Sequence, residues 1–140
     1  MLMDWENCYN IRQIKDIKPD NDMIESLIKT SKNKFESENK LEISEVTASS
    51  KLTLAYDSLR ELLEALALKK GYKIYNHQCY TAFLKEIIRN SAKGEDFDSI
   101  RQVRNDVNYY GKDITIEEAQ AIICEIKKLR KYVFNLLTVK

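Results

Sequence analysis

Turn-forming residues are almost missing from this chain, and that scarcity limits its fold more than any other feature. Three glycines and one proline occur among 140 residues, about a quarter of what a typical globular chain carries. A sequence so poor in turns is predicted to be mostly helix. With a mass of 16.4 kDa, the chain reads as one domain over 1–140. It is long enough to hide about two thirds of its unfolded surface, so a core without staples is expected. The composition is 44% hydrophobic and 32% charged, with a net charge of +1. Neither disorder nor a strongly cationic nucleic-acid coat fits that balance.

The glycines read as helix stops, because glycine tolerates the left-handed residue just past a helix end. Gly71, Gly94 and Gly111 each follow a helical pattern. Pro19 separates a first short helix from a second, which opens near Asp22 with Glu25 as a capping pair. Apolar spacing predicts helices over 3–15 and 22–37, a charged loop over 37–45, and helices over 47–70, 76–92 and 97–109. A last helix opens at Thr115 with Glu118 as its capping box. Short connections favour antiparallel neighbours, so the expected fold is an all-α, up-and-down bundle of four to five main helices with an N-terminal helical hairpin.

No apolar run approaches the ~18 residues of a membrane span, and the acidic opening lacks the basic and apolar regions of a signal peptide. A cytoplasmic protein is expected. Cys8, Cys79 and Cys124 are odd in number and widely spaced, which reads as reduced thiols rather than a disulfide framework. No CxxC or HxxxH pair preorganises a zinc site from these cysteines and the single His77, so neither metal nor cofactor is expected. The chain opens acidic, with Asp4, Glu6, Asp16, Asp20 and Asp22. It ends basic, with Lys127, Lys128, Arg130, Lys131 and Lys140, a run that most simply forms a solvated helix face.

Phosphate-binding glycine loops, zinc-protease and serine-hydrolase motifs are all missing. His77 and Cys79 stand two apart, and on a helix such positions point away from each other, which argues against a Cys-His pair. The informative stretch is RQVRNDVNYYGK, residues 101–112. On a helix Arg101, Arg104, Asn105 and Asn108 fall at i, i+3, i+4 and i+7 and form one polar stripe, while Ile100, Val103 and Val107 form the apolar one. Guanidinium forks suit phosphate, and Tyr109 and Tyr110 offer faces on which a base can stack. The plainer alternative is that Arg104 pairs with an acid of a neighbouring helix, Glu61 or Glu64, and sets the bundle's register. Asp57, Arg60, Glu61 and Glu64 themselves read as ion-pair partners.

This stretch, preceded by YDSLRELLEALALKKGYKIYNHQCYTAFL, resembles the HEPN superfamily, small helical domains named for higher eukaryotes and prokaryotes and nucleotide binding. The resemblance is strongest over 50–138 and is nearest to small stand-alone archaeal members. It implies a bundle of four or five helices that often dimerises and places an Arg-Asn motif in a cleft. Many members resemble metal-independent endoribonucleases, some of them toxins of toxin-antitoxin pairs, and others partner minimal nucleotidyltransferases. Arg104 and Asn105 match the first part of the family motif, but Tyr109 stands where its histidine belongs. Some family toxins resemble targets of adenylylation on a tyrosine two residues after that histidine; the corresponding position here is Gly111.

Metal-free RNA cleavage needs a proton carrier and a cation near the phosphorane charge. An ordinary tyrosine hydroxyl, with a pKa near 10, is phenolate in about one molecule in a thousand at neutral pH, whereas histidine near 6.5 is well matched. His77 replaces the missing group only if the bundle carries it beside Arg104. Three readings follow. The chain binds RNA or nucleotide through Arg101, Arg104, Asn105, Asn108, Tyr109 and Tyr110 with weak or no catalysis. It is an endoribonuclease using Arg104 with Tyr109 or His77. Or it is a module that docks a nucleotidyltransferase. A homodimer is expected under each, because a chain this small offers a shallow cleft alone.

Overall fold

The computed structural model describes residues 3–139. Lys140 of the basic tail, and the first two residues of the acidic opening, lie outside that range. The described residues form six helices and two short strands. In order these are α1 (Trp5–Asn10), β1 (Ile14–Asp16), α2 (Asn21–Lys40), α3 (Ala48–Lys69), β2 (Tyr72–Ile74), α4 (His77–Ala82), α5 (Ser91–Tyr109) and α6 (Ile116–Thr138). A π-helical turn, Phe83–Ile87, extends α4.

α3 is the central element. Leu52, Tyr56, Leu59, Leu62, Leu63 and Leu66 bury one face of it, and Ser58, Glu61, Ala65 and Leu68 are buried on another, the mark of a helix enclosed on several sides. α2 and α6 pack along it, and α5 covers it beside α4. Phe97 and Ile100 enter the core from α5, and Ile126, Leu129 and Val133 enter from α6 at offsets of three and four. The fold is an all-α bundle, as the helical periodicity predicts. α6 begins as expected, with the Thr115 side chain accepting from the Glu118 backbone N–H and the Glu118 carboxylate accepting from that of Thr115. Asp20, rather than Asp22, caps α2 by accepting from Met23 N–H.

A buried ion pair fixes the α2–α3 hairpin. Lys51 Nζ lies 2.9 Å from Glu38 Oε1 and donates to the carbonyls of Glu38 and Leu41 at 2.7 and 2.6 Å. One ammonium thus neutralises a buried carboxylate and satisfies carbonyls at the end of α2. Glu61 pairs with Lys34, and Glu64 pairs with Lys73 at 2.8 Å and Arg60 at 3.8 Å. These acids are therefore structural partners, as expected, though not of Arg104.

Several local expectations are corrected. The helix predicted over 3–15 stops at Asn10, and residues 14–16 pair antiparallel with 72–74, Ile14 facing Ile74. The N-terminal unit is thus a short helix and a strand, not a helical hairpin. α2 runs on to Lys40 through part of the predicted loop. The helix predicted over 76–92 is broken at Arg89, whose φ is 63°. Gly94 is no stop: it lies buried inside α5, where an added Cβ would fall 2.5 Å from Lys85 Cγ and 3.2 Å from the Thr81 carbonyl oxygen. Its missing side chain lets α4 and its π turn approach α5.

The cysteines are also corrected. Cys8 of α1 and Cys79 of α4 form a disulfide, with Cα atoms 6.1 Å apart and 71 positions between them in sequence. Cys124 is exposed and free. Sequence spacing carries no information about this pair, because it is the packing of α1 on α4 that brings the sulfurs together. No helix among the described residues is long and apolar enough to cross a membrane.

Candidate functional site

The polar face of α5 opens into a cavity of about 320 Å³ bounded by α4 and by the chain segments flanking β1 and β2. His77, Arg101, Arg104, Asn105 and Tyr109 all line it. The fold therefore carries His77 into the same cleft as Arg104, from a different helix. Asn76 caps α4 by accepting from the Gln78 backbone N–H at 2.8 Å, which sets His77 as the first residue of that helix.

Arg104 is held by rings rather than by a carboxylate. Its Cζ lies 4.9 Å from the centroid of Tyr56 and 5.3 Å from that of Tyr109. Its Nη1 donates to the Tyr109 hydroxyl at 3.2 Å and to Asn105 Oδ1 at 3.5 Å. Nε is buried without a hydrogen-bond partner, and no acid among the described residues lies within ion-pair distance. Stacking a guanidinium on aromatic faces orients the fork while leaving its charge uncompensated. The expected pairing with Glu61 or Glu64 is not made.

His77 sits deeper. Its Nδ1 shares a hydrogen bond of 3.1 Å with the Tyr56 hydroxyl. Burial, reinforced by the positive charges of Arg60, Arg104 and Arg101, pushes the imidazole down to about 4. Burial also raises Tyr56 well above the ordinary tyrosine range. At neutral pH the floor of the cleft is thus a neutral imidazole hydrogen-bonded to a neutral phenol, with the Arg104 guanidinium over the phenol ring. In a chain of net charge +1, Arg104 is the cleft cation left without an acid among the described residues, because Arg101 is matched by Asp98; a phosphodiester would meet that one charge.

Arg101 differs from Arg104. Its Nε and Nη2 both donate to Asp98 Oδ1, at 3.2 and 2.9 Å. Asp98 is buried and also accepts from Gln102 at 2.6 Å. Arg101 lines the cleft with its charge already matched. Asn108 faces α3 instead, where its Oδ1 accepts from Thr53 at 3.4 Å, and Tyr110 is exposed at the end of α5 away from the cleft lining. Tyr56, Gln13, Tyr75 and Gln78 belong to the site but were not candidates. Helical spacing on α5 gives no signal for groups arriving from other elements.

A larger cavity, about 680 Å³, lies where the α5–α6 connection meets Glu45 and Ser49. Glu45, Asp113 and Glu117 line it against the single cation Lys112, so its lining is net acidic. Among the described residues, no group of three or more His, Cys, Asp or Glu side chains converges to hold a metal ion. No family model, curated protein or solved structure matches the chain.

Proposed function

We propose that this chain is a HEPN-like helical domain that binds a phosphate of RNA or of a nucleotide in the Arg104 cleft, with weak or no catalysis. The observation that carries this reading is the uncompensated guanidinium of Arg104, fixed between Tyr56 and Tyr109. An arginine that served only packing would match its charge with a carboxylate, as Arg101 does with Asp98. Arg104 keeps its charge and its Nη2 donors for an anion, while Nη1 is held by Asn105 and Tyr109. Weak catalysis follows from His77. An imidazole held at about 4 is almost never protonated at neutral pH and is a poor proton acceptor there, so it suits neither acid nor base work.

A ribonuclease is the second reading, favoured by one observation: His77 and Arg104 line a common cleft. The test covers both. Purified protein and Arg104→Ala are incubated with single-stranded RNA in chelator, and binding and cleavage are read in parallel. Binding that depends on Arg104, without cleavage above the variant's background, supports the first reading. Cyclic-phosphate ends that vanish in both Arg104→Ala and His77→Ala establish the second. Equal binding by wild type and Arg104→Ala, with no cleavage that the substitution abolishes, removes both.

A further inference from the structure

The cleft has a second wall that the phosphate reading does not use. Tyr75, in the link between β2 and α4, is 57% exposed and still lines the cavity. Its backbone is not loose, because its N–H donates to the Gln13 carbonyl at 2.9 Å. Gln13 and Gln78 line the same cavity, and neither side-chain amide has a hydrogen-bond partner among the described residues. Tyr75 therefore presents a ring face at the cavity rim from a fixed backbone, beside two side-chain amides. A carboxamide offers both a donor and an acceptor, the pattern that a nucleobase edge presents in return.

We infer that this wall is a base-recognition subsite: Tyr75 is the platform on which one unpaired nucleobase stacks, with the amides of Gln13 and Gln78 at its edge, while Arg104 holds the adjoining phosphate. The inference rests on the phosphate reading above and adds to it the class of ligand, a nucleotide with an accessible base. The cavity, about 320 Å³, suits one nucleotide unit. A duplex, whose bases are stacked on each other, has no face to offer Tyr75.

Three labelled ligands test it by fluorescence anisotropy: a short single-stranded oligoribonucleotide, the same backbone with abasic ribose throughout, and the duplex. Stacking on one ring is worth about 1–3 kcal/mol, so Tyr75→Ala should weaken the base-bearing strand roughly fivefold or more. It should leave the abasic strand unchanged, Tyr75→Phe should restore the affinity, and the duplex should bind no better than the abasic strand. Arg104→Ala should weaken the two single strands alike. Displacement of half or more of the strand by a nucleoside monophosphate at equal concentration would identify the free nucleotide as a sufficient ligand; negligible displacement would identify the strand. If wild type binds the base-bearing and abasic strands equally and Tyr75→Ala changes neither, the subsite is wrong and the phosphate cleft stands. Equal losses on both strands in Tyr75→Ala also overturn it. If wild type binds neither strand, both readings fall.

Discussion

At the scale of single residues, the chemistry of the cleft turns on how His77 holds its proton. Its pKa falls from 6.5 in the unfolded chain to about 4 in the fold. As pH drops, the unfolded chain takes up the proton first, so the native state loses relative stability between those two values. The sign is therefore a stability that is full above about 6.5, falls through the window, and levels off below about 4. Allowing for partial solvent contact, the loss is about 2 kcal/mol. Denaturant melts across this range should show it in wild type and not in His77→Gln. A bound phosphodiester would favour the imidazolium, so oligonucleotide affinity should rise as pH falls through the same window, again only while His77 is present. A flat affinity profile would place the phosphate away from His77.

Arg104, Asn105, Tyr109 and His77 were legible in the sequence as candidates, because their side-chain chemistry is visible without a fold. Whether they meet was not. His77 reaches Arg104 only because Tyr56, a core residue of α3, bridges them, with its hydroxyl on the imidazole and its ring under the guanidinium. Tyr75 and Gln13 escaped notice because they flank strands of three residues, too short for any periodicity to mark.

At the scale of elements, the missed boundaries share one cause. A chain with three glycines must turn on other residues, and Arg12 and Arg89 adopt positive φ of 61° and 63° where glycine would be easier. Both ends were therefore invisible to a search for glycine. Arg89 is exposed, and relieving its left-handed backbone in Arg89→Gly should raise stability by about 1 kcal/mol. Gly94 is the reverse case. Alanine gains about 1 kcal/mol of helix propensity over glycine, yet Gly94→Ala should lower the melting temperature, because its Cβ has no room against Lys85 and the Thr81 carbonyl. A higher melting temperature would mean that α4 and α5 pack less closely than described. In the α2–α3 hairpin, Lys51→Met strands the Glu38 carboxylate in the interior, with only the distant Lys127 at 3.8 Å. Losing one partner of a buried pair costs about 3–5 kcal/mol, which a denaturant midpoint would report directly.

For the whole molecule, the disulfide is the covalent contact, beside the β1–β2 pairing, that joins the N-terminal unit to the wall bearing His77. Closing a loop of 71 positions restricts the unfolded chain by about 4 kcal/mol, so a dithiol reductant should lower the melting midpoint by roughly 10 °C. Thiol titration of the unfolded, unreduced protein should count the single Cys124. Three reactive thiols before reduction would contradict the bond. The all-α class was legible because helix periodicity and scarcity of turns are properties of the whole chain. The sulfur pair was not, because it depends on how distant segments meet. The same holds for charge: a net +1 hides a cleft cation, Arg104, that no acid among the described residues pairs.

The uncompensated charge of Arg104 is tested most directly by titrating a labelled single-stranded oligoribonucleotide, in chelator and at low salt, against wild type, Arg104→Lys and Arg104→Ala. A charge-assisted contact is worth about 1.5–3 kcal/mol. The expected result is therefore a loss of roughly tenfold or more in Arg104→Ala, only partly recovered by the point charge of Arg104→Lys. Three equal affinities, with the variants folded, would show that the guanidinium between Tyr56 and Tyr109 holds the bundle together and binds nothing.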